Sequence, residues 1–186
     1  GPNTHHGPTY RYPQKIRNDC WGELYFKQDA TFLQPRAMAV FQICSGKKVL
    51  SAHDRICRCI LETMIAQLIT EDVYPAIQAY LGCSVGLEND GSVIIGIDGL
   101  NDKLPNLLET ILPHILDACD KLEEGMFNEL LSKIKKDYFN SMIDPGGLAC
   151  DIQMSVLDQT HKTSVDLHGT CKSITFDSFK SFSSKA

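Results

Sequence analysis

The stretch GELYFKQDATFLQPRAMAVFQI, residues 22–43, carries two apolar runs on either side of a loop that holds Asp29, Pro35 and Arg36. In Glu23–Gln28, Leu24 and Phe26 fall on one face and Tyr25 on the other, the alternation of a half-covered strand. Ala37–Cys44 is apolar on both faces, as an inner strand covered on two sides would be. The two runs are expected to pair as strands, joined by a loop in which Pro35, lacking an N–H, interrupts any ladder. The stretch holds no histidine or cysteine and only two acidic side chains. It reads as architecture rather than chemistry.

Downstream the period changes from two to nearly four. From about Leu50 to Thr70, Ile56, Ile60, Met64 and Leu68 fall four apart, flanked by Cys57, Leu61, Ile65 and Ile69. This is a broad helical stripe, long enough to cross a sheet. A second short helix is expected over Tyr74–Leu81, with Gly82 near its end. Cys83–Asn89 and Ser92–Asp98 form a hairpin around ENDGS, whose Asn, Asp and Gly suit a tight reversal. Val93, Ile95 and Ile97 then share one face, as do Cys83, Val85 and Leu87 on the partner strand. A helix follows, with Asn101 or Asp102 as N-cap, Pro105 in its first turn, and an apolar stripe from Leu104 to Cys119. Pro113 deletes one backbone bond of that helix and is expected to kink it. Glu123–Met142 is a further amphipathic helix with Phe127, Leu130, Leu131, Ile134 and Tyr138 inward; it ends sharply at DPGG. Gly147–Thr160 and Asp177–Ser184 read as helices too. Strands joined by hairpins, followed only by helices, imply the α+β class: an antiparallel sheet of about four strands covered on one side by helices.

The composition sets limits on function. The 186 residues are 43% hydrophobic and 22% charged, as a folded domain is, with a net charge of −5 from 18 basic and 23 acidic residues. No basic stripe points to nucleic acid, and no apolar run reaches the roughly 18–20 residues of a membrane span. Residues 1–11 read as a tag remnant or flexible lead, because a leading Gly-Pro is what some processing proteases leave. Residues 12–186 then form one α+β domain. The eight cysteines are scattered; Cys57, Cys59 and Cys119 fall in apolar helical patterns, so reduced, intracellular thiols are expected.

Candidate chemistry is sparse. Cys57 and Cys59 are two apart on a helix and point about 200° from each other, so they make no metal clip. His53 lies one turn from Cys57, but two further ligands are missing. His161, His168 and Cys171 cluster near the C-terminus, yet no oxyanion motif or orienting acid accompanies them. GLENDGSVIIG lies in a hairpin and lacks the strand-to-helix setting of a phosphate loop. Gly146-Gly147 opens a helix and is a place for an anion or a simple turn. Glu123-Glu124 suits a helix's first turn. No H-E-x-x-H, H-x-x-E-H or G-x-S-x-G occurs. No catalytic or metal-ligating residue is assigned, and substrate-binding residues are unknown at this stage.

Three segments carry a likeness. ELYFKQDATFLQPRA, preceded by YPQKIRND, resembles the opening of the third homologous domain in the insulysin/nardilysin branch of the inverzincin metallopeptidases. GLNDKLPNLLETIL resembles that family's entry to a helix, and KKDYFNSMIDP looks nearer to nardilysin than to insulysin. The resemblance runs from about Tyr12 over nearly the whole chain. It implies a mitochondrial-processing-peptidase-like α+β domain, one of four in a polypeptide whose two halves enclose a peptide-sized chamber. It also implies zinc held in the first domain by an H-x-x-E-H helix, with no ligand or catalytic base to carry over to this third domain. The implied role is a non-catalytic part of a zinc metalloendopeptidase, contributing to the chamber wall and to interdomain packing. The implied partners are the other domains of the same peptidase, with peptide substrates in the intact enzyme and no nucleic acid or membrane. In that family the domain continues into a further strand and helix beyond SFKSFSSKA, so an uncovered sheet edge and self-association are expected here. Two other readings stand beside it: a free-standing protein- or peptide-binding module built on the same domain, and a small enzyme using Cys171 or Cys83. Cytoplasmic localisation is expected, with unconventional export as the alternative.

Overall fold

The computed structural model describes residues 11–29, 31–44, 50–88 and 92–183. They fall into two units, one running to Pro35 and the other starting at Arg36.

The first unit is a hairpin. β1 (Gln14–Asp19) pairs antiparallel with β2 (Gly22–Phe26), with Lys15 opposite Tyr25, Asp19 opposite Gly22 and a bulge between Lys15 and Arg17. Cys20 and Trp21 make the turn, which the Asp19 carboxylate closes by accepting from the Trp21 N–H at 2.9 Å. Gly22 follows at φ +145°, a conformation that side chains rarely adopt. This corrects the expected partnership of the two runs in residues 22–43. A two-residue turn closes with far less loss of chain entropy than the connection from Lys27 to Pro35, so β2 pairs backwards with β1. One face is polar: Lys15 Nζ meets Glu23 Oε1 at 2.6 Å, and the Tyr25 hydroxyl donates to Glu23 Oε2 at 2.7 Å. Every residue of both strands is exposed.

The second unit begins with β3 (Arg36–Ile43) and α1 (Ala52–Gln78), followed by β4 (Gly82–Leu87) and β5 (Val93–Leu100). The sheet order is β3-β5-β4, all antiparallel. The α+β class and antiparallel pairing are as the sequence implies, with the five strands divided between a two-stranded and a three-stranded sheet. The register sets Ala39 opposite Ile97 and Phe41 opposite Ile95, with Cys83 and Val85 across β5 from the same two residues. These residues share the face on which α1 packs. Ile95 and Ile97 are buried there, and Cys83, Val85 and Val93 pack against the core, as their alternation requires.

β3 is an edge strand rather than a covered inner one. Met38, Val40, Phe41 and Ile43 are all exposed, Met38 at 72%, and of this strand only Ala39 packs against the core. Apolar side chains on both faces state a demand for cover; the elements of this unit meet it only over β4 and β5.

α1 starts at the Ser51 cap, whose Oγ accepts from the Asp54 N–H at 3.0 Å. It runs unbroken to Gln78, so the two expected helices are one. Pro75 sits inside it, and the stripe of Ile65, Ile69, Val73 and Ala76 keeps its phase through that point. Burial on the sheet offsets the cost of the proline. The helix ends in a Schellman turn, with Leu81 N bonded to Ala76 O and Tyr80 N to Ile77 O, both at 3.0 Å. The left-handed position is Tyr80 (φ +61°), not Gly82, which already belongs to β4. The hairpin closes with Glu88 N on Ser92 O at 2.9 Å; its turn, residues 89–91, lies outside the described residues.

Among the described residues six further helices follow: α2 (Leu104–Leu116), α3 (Ala118–Lys121), α4 (Glu124–Ile143), α5 (Pro145–Leu157), α6 (Ser164–Thr170) and α7 (Phe176–Ser183), with a 3-10 turn at Cys171–Ser173. The α2 cap is Lys103 rather than Asn101 or Asp102, because the Asn101 side chain is turned onto the Asp102 N–H at 2.9 Å. α2 runs through Pro113 and stops one turn later, where Asp117 N reaches Pro113 O. Ala118 then resumes the apolar stripe in the separate α3. The core joins Ile56, Ile60 and Met64 of α1 with Leu107 and Ile111 of α2, Leu130 and Ile134 of α4, and Leu167 of α6. Phe127 sits with its centroid 5.4 Å from Phe176 and 5.7 Å from Phe179.

Candidate functional site

Each place where the sequence puts chemistry has a structural occupant. His53 Nδ1 lies 3.7 Å from Cys57 Sγ on the first turns of α1. Cys57 is fully buried, and burial, with the Asp54 carboxylate adding to it, pushes its thiol up to about 12. A thiol so resistant to ionisation is neither nucleophile nor ready ligand. Cys59 points elsewhere; burial raises its thiol too, and it neighbours the Tyr138 hydroxyl. Among the described residues, no three His, Cys, Asp or Glu side chains converge as a metal set would.

His161, His168 and Cys171 have separate partners. His161 Nε2 meets Asp151 Oδ1 at 2.6 Å. His168 lies against the Phe139 ring, with centroids 5.9 Å apart. Cys171 is buried, and that burial raises its thiol. Asp151 Oδ2 accepts from the Ser164 N–H at 2.7 Å, so a carboxylate stands between imidazole and serine. A hydrolytic relay needs the imidazole in the middle. Burial pushes the Asp151 carboxyl up, yet the Ser164 N–H and the His161 imidazole outweigh it and hold the group below its usual range. This link, ten residues apart, was not read from the sequence; nothing in local spacing marks it.

The Gly146-Gly147 position already holds an anion of the chain's own. The Asp144 carboxylate accepts from the Gly147 N–H at 2.8 Å and caps α5, with Pro145 in the first turn. Glu124 sits in the first turn of α4 beside the helix start. Cys83, half-buried with its thiol raised by burial, lines a shallow apolar groove of about 260 Å³ between α1 and β4. Ala66, Ile69, Val73, Ile77 and Val85 supply apolar wall, and the edge of β4 that is unpaired among the described residues runs beside it.

What the surface does offer is apolar area. Besides β3, Ile152, Met154, Val156 and Leu157 of α5 are exposed, Val156 at 80%, as are Phe139 and Ile143 of α4. Single exposed apolar residues are ordinary, but runs of them along one strand or helix mark contact surfaces. Among the described residues, no helix is long and apolar enough to cross a membrane.

A family described as the middle or third domain of peptidase M16 matches residues 3–169. The chain is 28% identical to nardilysin of Mus musculus over 159 residues, which are 86% of this chain and 13% of that protein. It is 29% identical over 131 residues, 69% of this chain and 13% of the relative, to mug138 of Schizosaccharomyces pombe, named as a candidate zinc protease. Among solved structures, crystalline pitrilysin superimposes with a TM-score of 0.76 at 17% identity, over 94% of this chain and 18% of that one. That is a likeness of fold. The chain spans about 13% of the length of these two curated relatives.

Proposed function

The chain belongs to the family of middle or third domains of the M16 peptidases, related to nardilysin, and from that premise we propose that it is a non-catalytic structural domain of a zinc metalloendopeptidase. In the intact protein, zinc held in the first domain would activate water against a peptide bond. This domain would contribute to the wall of the peptide-degrading chamber and to packing between domains. The observation that carries the reading is the family match over residues 3–169. The uncovered strand β3 and the exposed apolar side of α5 support it, since surfaces of this kind suit burial against neighbouring domains. A cytosolic setting belongs to the same proposal and rests on the number of free thiols among the described residues.

The test is peptide hydrolysis by the purified 186-residue chain, with and without a chelator. No cleavage of peptides is expected, and zinc should bind no better than stray surface histidines bind it. Cleavage that a chelator abolishes would overturn the proposal. The rival reading, a free-standing binding module, is distinguished by the natural open reading frame. An H-x-x-E-H segment upstream in the same polypeptide supports the peptidase, and a short frame without one supports the module.

A further inference from the structure

α5 has no buried residue and packs chiefly on α4. Its Asp151 is a half-buried polar residue. That carboxylate receives His161 Nε2 at 2.6 Å on one oxygen and the Ser164 N–H at 2.7 Å on the other. The two side chains are only 13% and 16% exposed, Asp151 the less so. The loop that supplies these partners is closed on itself. Asp158 Oδ1 accepts from the Thr160 N–H at 2.8 Å and the Thr160 hydroxyl at 2.7 Å, and His161 N donates to Asp158 O at 3.1 Å. Thr163 Oγ1 caps α6 through the Asp166 N–H at 3.2 Å. A stiff loop is thus joined to a solvent-exposed helix through one carboxylate, with both oxygens engaged. Bonds to a charged acceptor are about twice as strong as neutral ones. At its other end α5 begins with Pro145-Gly146-Gly147, held by the Asp144 carboxylate, which accepts from the Gly147 N–H at 2.8 Å.

We propose that Asp151 is the latch of α5: the Asp151–His161–Ser164 link fixes the angle at which α5 presents Ile152, Val156 and Leu157, and its release frees α5 as a local unit. When the latch opens, the α1–β5–α4 core stays folded, because its buried side chains come from other elements. Asp151 acts here as a positioning residue. The proposal stands whether or not the parent protein is a peptidase.

Native-state hydrogen exchange on the 186-residue chain, read amide by amide, tests it. With Asp151→Ala, the amides of residues 149–157 and of Ser164 are expected to exchange at least tenfold faster, while the slowest amides of α1 keep their rates. His161→Ala, which leaves the Ser164 N–H on Asp151, should accelerate residues 149–157 to a smaller extent, and the double variant should add nothing to Asp151→Ala. His161→Gln, which keeps a donor, should restore most of the protection. Unchanged exchange in α5, equal acceleration of α1 and α5, or additive effects would each overturn the latch. Should Asp151→Ala fail to fold, the His161→Ala and His161→Gln pair decides the matter alone.

Discussion

Tyr80 shows what a single residue can carry against its preference. Its φ of +61° places a large side chain in the left-handed region, where the Schellman turn of α1 would accept glycine without strain. The ring is 80% exposed, so little packing is at stake. Tyr80→Gly is expected to stabilise the chain by about 0.5–1 kcal/mol, measured as a higher urea midpoint at unchanged slope. Asp151 carries a pH signature. Its carboxyl is depressed in the folded chain, with His161 facing it and Asp158 beside His161. Its stabilisation is therefore fully present above the unfolded carboxylate value of about 3.9 and is lost as pH falls through the lower folded value. The stability gap between wild type and Asp151→Asn should shrink below about pH 4. A gap that persists in acid would remove the charge from the explanation. The alternation of apolar residues makes Leu24, Ile95 and Ile97 legible as strand positions. The conformation of Tyr80 was not legible, because it follows from where Leu81 and β4 must go.

Elements differ in how much of their fate lies within them. α4 repeats Phe127, Leu130 and Ile134 at helical spacing, and all three are buried as that spacing requires. Phe127→Ala should cost about 3–5 kcal/mol, because two aromatic neighbours lose their contact partner and a cavity remains. Val156→Ser on α5 should change stability by less than about 0.5 kcal/mol. Chemical unfolding of the two variants side by side checks the contrast, and equal losses would mean that α5 is covered in solution. α1 was read as two helices, one to about Thr70 and one over Tyr74–Leu81. Its length came from the sheet beneath, which rewards keeping Val73 and Ala76 in phase. β1 and β2 pair because the turn between them is short, a preference that the longer loop after Phe26 cannot match.

On the scale of the molecule, the described residues bury one core and leave a good deal of apolar surface open. Met38 and Val40 lie along one face of β3, Phe41 and Ile43 along the other, beside an edge that no strand pairs with among the described residues. Such edges template association. The isolated chain is expected to self-associate at high concentration in sedimentation equilibrium, and Met38→Thr with Val40→Thr should weaken that association. A monomer at all concentrations would show the face to be inert. By itself, the sequence determined the class, the helix-rich order, the core faces of α4 and of the β4–β5 hairpin, and the family, because each follows from local periodicity or ordered motifs. Only the tertiary structure decided that β3 is an edge, that β2 pairs with β1, that α1 is one helix, and that Asp151 meets His161. Those outcomes depend on which surfaces compete for a common partner across the fold, and no spacing along the chain records that competition.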